Sequence, residues 1–179
     1  MKTPMRDDWY HRGVLAMNVI YGFDLGDHTG WARHCADDDD VLTWGKTDLP
    51  ATSSGYPYWY RLASFFREIS DIIDRPGLVF YEQVRGAVRR KQHAYLYGAL
   101  EGLLLLRCAQ LNIEPRPVNV SSLKLYSTGS GRSTTKALCD VADRFCLEFG
   151  HAPAKTEDQK IALCLVRFGL RGPVEVKKK

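Results

Sequence analysis

Asp24 and Glu82 each close an apolar run, VIYGFD and LVFYE, and each is followed by Gly or polar turn residues. A carboxylate at the end of a buried strand is costly unless something offsets its charge. A divalent cation shared by two such acids on neighbouring strands would do so, and hard oxygen ligands suit Mg²⁺ or Mn²⁺. The other reading is that each acid caps its own turn. Two further candidates fail on spacing. The five cysteines, Cys35, Cys108, Cys139, Cys146 and Cys164, form no C-x-x-C pair, so no zinc site is expected. The GSG of STGSGRSTTK lacks the G-x-x-x-x-G-K-[ST] spacing of a nucleotide phosphate loop, so no nucleotide cofactor is expected.

The elements that must position these acids are legible in the hydrophobic pattern. VLAMNVIYGFD (14–24) reads as a buried strand, GWARHCA as a second and VLTWGKTDL as a third. The acidic run Asp37 to Asp40 between the last two is expected to be a solvated hairpin tip. Tyr58, Leu62, Phe65, Ile69 and Ile72 fall at helical spacing, which predicts an amphipathic helix over 57–74 that ends at Pro76-Gly77. LVFYE is the fourth strand. RGAVRRKQH is a basic loop or helix start, and a long apolar helix follows over about 92–111. PRPVNV is the fifth strand, with Pro117 favouring a sheet edge. A short helix, a Gly/Ser loop and a helix come next. Thr156 opens the last helix with the capping-box spacing to Gln159. The order β-β-β-α-β-α-β-α-α-α points to an α/β fold. Its mixed five-stranded sheet has three antiparallel strands, then parallel crossovers, and is flanked by helices.

At 179 residues with no internal repeat or linker, one domain is expected over 1–179, with a loose arm at 1–13 and a basic tail at 172–179. The net charge of +4, from 25 Lys and Arg against 21 Asp and Glu, permits a nucleic-acid partner without demanding one. The longest apolar run is Leu103 to Leu106, so no membrane span is expected. The N-terminus lacks the apolar stretch of a secretory signal, and the scattered thiols suit a reducing, cytoplasmic compartment.

GFDLGDHTGWA resembles the first strand motif of RuvC-like Holliday-junction resolvases, closest to the TGWA version of phage-encoded members. FYEQV resembles their second motif, and VSSLKLYSTGSGRSTTK their basic stretch. The resemblance runs from about Val19 to Leu170. It implies a ribonuclease-H-like fold and a metal-dependent endonuclease that cuts four-way or other branched DNA as a homodimer. It also implies a pair of Mg²⁺ or Mn²⁺ ions, with Asp24 bridging them, Glu82 holding one, and a third acid from the last helix. The family's D-x-x-D-A-L is replaced here by KTEDQKIALCL. The register that keeps the Ala-Leu run puts Asp158 at the first acid and Ile161 at the second, with Glu157 in reserve about 100° around the helix. Ile161 would then wall the site with hydrocarbon. His151 is a lesser candidate for a catalytic imidazole.

Arg85, Arg89, Arg90 and Lys91 follow Glu82 and would flank the cleavage site. Lys124, Arg132 and Lys136 surround the Gly/Ser loop, whose backbone can approach phosphates. For both groups a merely solvated face is the plain alternative. Tyr95 and Tyr97 could stack bases, but helical positions favour core or dimer contacts. Trp31, Trp44 and Trp59 read as core or strand-face residues. Three other functions compete. An actin-like ATPase or sugar kinase has a similar phosphate loop, D-L-G-x-x-x-T, but needs a second domain and a second D-x-G, both absent here. A non-catalytic branched-DNA-binding module would explain Ile161. A nuclease for flaps, forks or RNA–DNA hybrids would share the whole site.

Overall fold

The computed structural model describes residues 18–37, 39–50, 55, 57–83 and 91–171, with the backbone alone at 91–93. The expected arm, the basic stretch at 84–90 and the tail lie outside the described residues. Strands β1 (Val19–Asp24), β2 (His28–Cys35) and β3 (Val41–Asp48) come first, then helix α1 (Tyr58–Ile72) and strand β4 (Leu78–Glu82). Helix α2 (Lys91–Gln110), strand β5 (Arg116–Val118) and helices α3 (Val120–Thr128), α4 (Thr135–Glu148) and α5 (Glu157–Arg171) complete the order, which is the expected one. The sheet runs β3-β2-β1-β4-β5. β1 is antiparallel to β2 and β2 to β3, whereas β1–β4 and β4–β5 are parallel.

Local chemistry sets the element ends. Asp39 and Asp40 at the β2–β3 turn have φ of 56° and 59°, a left-handed conformation that Asp tolerates better than most residues. Asp40 also meets Nε2 of the buried His34 at 2.6 Å. The acidic run thus belongs to the hairpin tip. β5 is shorter than the expected 115–120. Asn119 accepts a hydrogen bond from the Ser121 amide at 2.8 Å and so caps α3, which stops the strand at Val118. Pro117 lies on the edge strand, where no ladder donor is missed.

Strand alternation divides the core into two layers. Val19, Tyr21 and Phe23 of β1 and Val79 and Tyr81 of β4 pack with Phe65 and Ile69 of α1 and Leu96, Leu100 and Leu104 of α2. Ile20, Leu78 and Phe80 point the other way, with Ala32 and Leu42, onto α4 and α5. Helix α5 lies directly on the strand backbones. A Cβ at Gly22 would come 2.3 Å from the Ala162 carbonyl oxygen, and one at Gly30 would come 2.1 Å from that of Asp158. A Cβ at Gly169 would meet the Phe80 ring at 2.5 Å. Among the described residues no helix is long and apolar enough to cross a membrane.

These contacts make Gly30→Ala an overpacking change against backbone that cannot rotate away. It should destabilise the fold by about 1–3 kcal/mol. A thermal melt at or above that of the unaltered protein would show that α5 does not rest on β2 there.

Candidate functional site

The same alternation brings the two strand-end acids to one side. In β1, Ile20, Gly22 and Asp24 share a face, as do Leu78, Phe80 and Glu82 in β4. The parallel register pairs Ile20 with Leu78 and Gly22 with Phe80. One step further sets Asp24 beside Glu82, both on the α5 side of the sheet. Across β1, Asp24 pairs with Gly30, against which the Asp158 carbonyl rests. A missing side chain on β2 therefore admits the first turn of α5 to the corner where the acids stand.

That turn is held by the expected capping box. The Gln159 amide donates to Thr156 Oγ1 at 3.3 Å, while Gln159 Oε1 accepts from the amides of Thr156 at 3.1 Å and Lys155 at 3.0 Å. Glu157 and Asp158 are thereby fixed as the first two helical residues, where the helix dipole favours negative charge. Glu157 is exposed and Asp158 half-buried. Ile161, one turn on, is buried among the apolar residues under the sheet, so it belongs to the core.

The electrostatics bind the four acids into one unit. Burial pushes the Asp24 carboxyl well above its usual range, and the charges of Glu82, Asp158 and Glu157 push it further. Burial also raises Glu82; the Lys124 ammonium lowers it and Glu157 raises it. Asp158 thus acts on Asp24, while Glu157 acts on both strand acids. Among the described residues, Glu82 Oε2 is buried with no hydrogen-bond partner. A buried, unpartnered carboxylate oxygen among like charges is a poor arrangement unless a cation offsets it. The donor set consists of oxygens alone, the type that Mg²⁺ and Mn²⁺ take. Among the described residues, no three of His, Cys, Asp and Glu are close enough as they stand to ligate one ion. The acids share a corner but would have to close in around a cation.

The other candidates distribute unevenly. Lys124 is half-exposed and within charge reach of Glu82, so the structure brings it to the corner. Arg132 and Lys136 are exposed, on the loop 129–134 and the start of α4. The Lys136 ammonium is partly neutralised by Asp140 at 3.2 Å on its own helix. The loop is ordered by Gly129, whose φ of 81° ends α3, and by Thr134, which caps α4. Arg85, Arg89 and Arg90 lie outside the described residues, and Lys91 is placed by its backbone alone, as the first residue of α2. His151 is exposed, with its ring edge-on to Trp44. Trp31 and Trp44 pack against the two core layers as expected. Trp59 does not: it is 68% exposed in the first turn of α1, because the buried stripe of that helix runs through Arg61, Phe65 and Ile69.

One feature of the site went unread in the sequence. Arg61 is buried, donating to the Pro50 carbonyl at 2.7 Å and pairing with Asp27 at 3.0 Å, which ties the β1–β2 turn to α1. Its position four residues before Phe65 on the apolar stripe was the available signal. Tyr97 of α2, expected as a base-stacking, core or dimer residue, also reaches the corner.

No family model and no curated protein matches this sequence. Solved structures do. The Thermus thermophilus RuvC structure is similar at a TM-score of 0.65 and 16% identity, over 83% of this chain and 90% of that one. T. thermophilus RuvC in complex with Holliday junction substrate is similar at a TM-score of 0.65 and 12% identity, with the same coverage. With its mixed sheet, its helix order and its acids at the ends of β1 and β4, the chain has a RuvC-like, ribonuclease-H-like fold.

Proposed function

We propose that the chain is a metal-dependent endonuclease that resolves four-way DNA junctions as a homodimer. The observation that carries this reading is the corner itself: carboxylates from β1, β4 and α5 converge there, and a buried oxygen of Glu82 lacks a partner among the described residues. The similarity to a RuvC solved with a Holliday junction supports the substrate class. Asp24, Glu82 and Asp158, with Glu157 beside them, would hold Mg²⁺ or Mn²⁺. Bound divalent ions supply an activated water and stabilise the leaving 3′ oxygen of an in-line phosphodiester displacement. The chain's own residues do the rest. Burial keeps Asp24 in a low-dielectric setting that strengthens its grip on a cation. Lys124 tempers the negative charge at Glu82. Arg132 and Lys136, with Arg85, Arg89, Arg90 and Lys91, would hold the DNA backbone and so position the junction arms.

The homodimer has its own support. The outward face of α2 carries Ala94, Tyr95, Gly98, Gly102, Leu105, Leu106 and Ala109, all exposed, at spacings of three and four and without a charged side chain. Tyr95 is 74% exposed and Leu106 49%. An apolar helix face of this kind fits a second copy, and two-fold pairing would present one acid corner to each of two strands. Branched-DNA binding without cleavage is the second reading, and the buried Ile161 where relatives place an acid is the observation in its favour.

Asp24→Asn and Glu82→Gln should each abolish junction cleavage while leaving junction binding intact. Asp158→Asn should lose far more activity than Glu157→Gln, since Asp158 is half-buried against β2 and Glu157 is exposed. Single-turnover cleavage of a four-way junction in Mg²⁺, beside gel-shift binding, separates these outcomes. Near-normal cleavage by either strand-acid variant would place the catalytic centre away from this corner, whereas junction binding with no cleavage by the unaltered protein would leave only the binding module.

Leu106→Glu should yield a monomer by light scattering, with an unchanged melt of the secondary structure and loss of paired cuts on opposite strands. A dimer that survives this charge would place the interface elsewhere.

A further inference from the structure

Tyr97 stands at the acid corner, on the side of the sheet opposite α5. It is half-buried, between the buried Leu96 and the exposed Gly98, in the part of α2 that overhangs the turn after β1. A Cβ built on Gly26, two residues past Asp24, would lie 3.7 Å from the Tyr97 hydroxyl. That is an ordinary contact distance, so the hydroxyl lies directly over the turn that follows the strand end. Burial raises the ionisation of this phenol, and the charges of Asp24, Asp27, Glu82 and Asp158 raise it further. It stays protonated across the neutral range and can only donate or accept as a neutral hydroxyl. Among the described residues the hydroxyl has no hydrogen-bond partner, whereas the other buried phenols do: Tyr21 donates to Asp74 at 2.9 Å and Tyr81 to Glu101 at 2.8 Å.

A donor with no acceptor among the described residues, within charge reach of the three carboxylates Asp24, Glu82 and Asp158 that would hold cations, lacks only the anion those cations attract. We propose that Tyr97 is a further residue of the reaction, whose phenolic O–H donates a hydrogen bond to a non-bridging oxygen of the phosphodiester bound at the Asp24–Glu82–Asp158 corner. The proposal rests on the endonuclease reading above. The hydroxyl neither gains nor loses a proton in the step. It orients the phosphate for in-line attack and offsets the charge that builds on its oxygens. The ring itself fills space between α2 and the β1–β2 turn, a role that phenylalanine would keep.

The test is single-turnover cleavage of a four-way junction in Mg²⁺ by the full chain. It compares the unaltered protein, Tyr97→Phe and Tyr97→Leu, with junction affinity measured in Ca²⁺ and thermal melts alongside. Tyr97→Phe should melt with the unaltered protein and bind the junction with the same affinity, yet cleave about 10- to 100-fold more slowly at saturating protein, the range for a hydrogen bond to a charged group. Tyr97→Leu should cleave no faster than Tyr97→Phe. Full-rate cleavage by Tyr97→Phe with slow cleavage by Tyr97→Leu would make Tyr97 a packing or stacking residue and overturn the proposal alone. A loss of affinity in Tyr97→Phe equal to its loss of rate would likewise overturn a role confined to the reacting phosphate. If the unaltered protein cuts no branched DNA, the endonuclease reading fails, and this proposal fails with it.

Discussion

Like charge brought together in a buried place is the constraint on which the architecture turns. Asp24 stands at the end of a strand whose other residues are core, and Glu82, Asp158 and Glu157 all act on it. The ionised, buried carboxylates of Asp24 and Glu82 raise the free energy of the metal-free fold, since desolvated like charges repel with little solvent to screen them. The arrangement persists because the elements that carry the acids are fixed by interactions that owe nothing to the acids. Parallel pairing sets β4 against β1. The capping box fixes the first turn of α5. The glycines at 22, 30 and 169 let that helix lie on the sheet without a layer of side chains between. The hydrophobic core sustains a local electrostatic disadvantage, and that disadvantage is what a cation relieves.

Around this corner the molecule divides its labour by layer. The α4–α5 layer supplies Glu157 and Asp158 and backs them with core residues such as Ile161 and Ala162. The α1–α2 layer supplies Arg61, which anchors the turn after Asp24 through Asp27, and Tyr97, which overhangs it. Lys124, in the middle of α3, is within charge reach of Glu82. The negative corner is thus bordered by a positive charge and a neutral donor, an arrangement suited to a phosphate held by cations.

Much of this was legible in the sequence because period and spacing carry it. A two-residue period runs through VIYGFD and LVFYE. It puts both terminal acids on the same parity as inward residues, and the order of elements made β1 and β4 neighbours. The Thr156–Gln159 spacing fixed the register of α5 to the residue. What escaped notice depends on contacts between distant segments. Nothing near Tyr97 says that α2 overhangs the β1–β2 turn, and Arg61 departs from the rule that stripe positions are apolar because Pro50 and Asp27 satisfy it. Trp59 reads as a core or strand-face residue in the sequence, yet helix phase decides burial, and it falls beside the stripe. Strand β5 was read two residues too long at its far end because Val120 fits a strand pattern locally while Asn119 caps a helix.

The central claim is that cations relieve the repulsion among these acids, and a thermal melt of the whole chain at neutral pH with and without Mn²⁺ tests it most directly. Because Asp24 ionises at higher pH in the folded state than in the unfolded chain, the metal-free protein carries its full penalty above that raised value and loses it as the pH falls through it. Added Mn²⁺ should therefore raise the melting temperature at neutral pH, by an amount that shrinks as the pH is lowered. Asp24→Asn should melt above the unaltered protein in chelator and gain little from Mn²⁺. A melting temperature indifferent to Mn²⁺, with Asp24→Asn no more stable than the unaltered protein in chelator, would contradict the account.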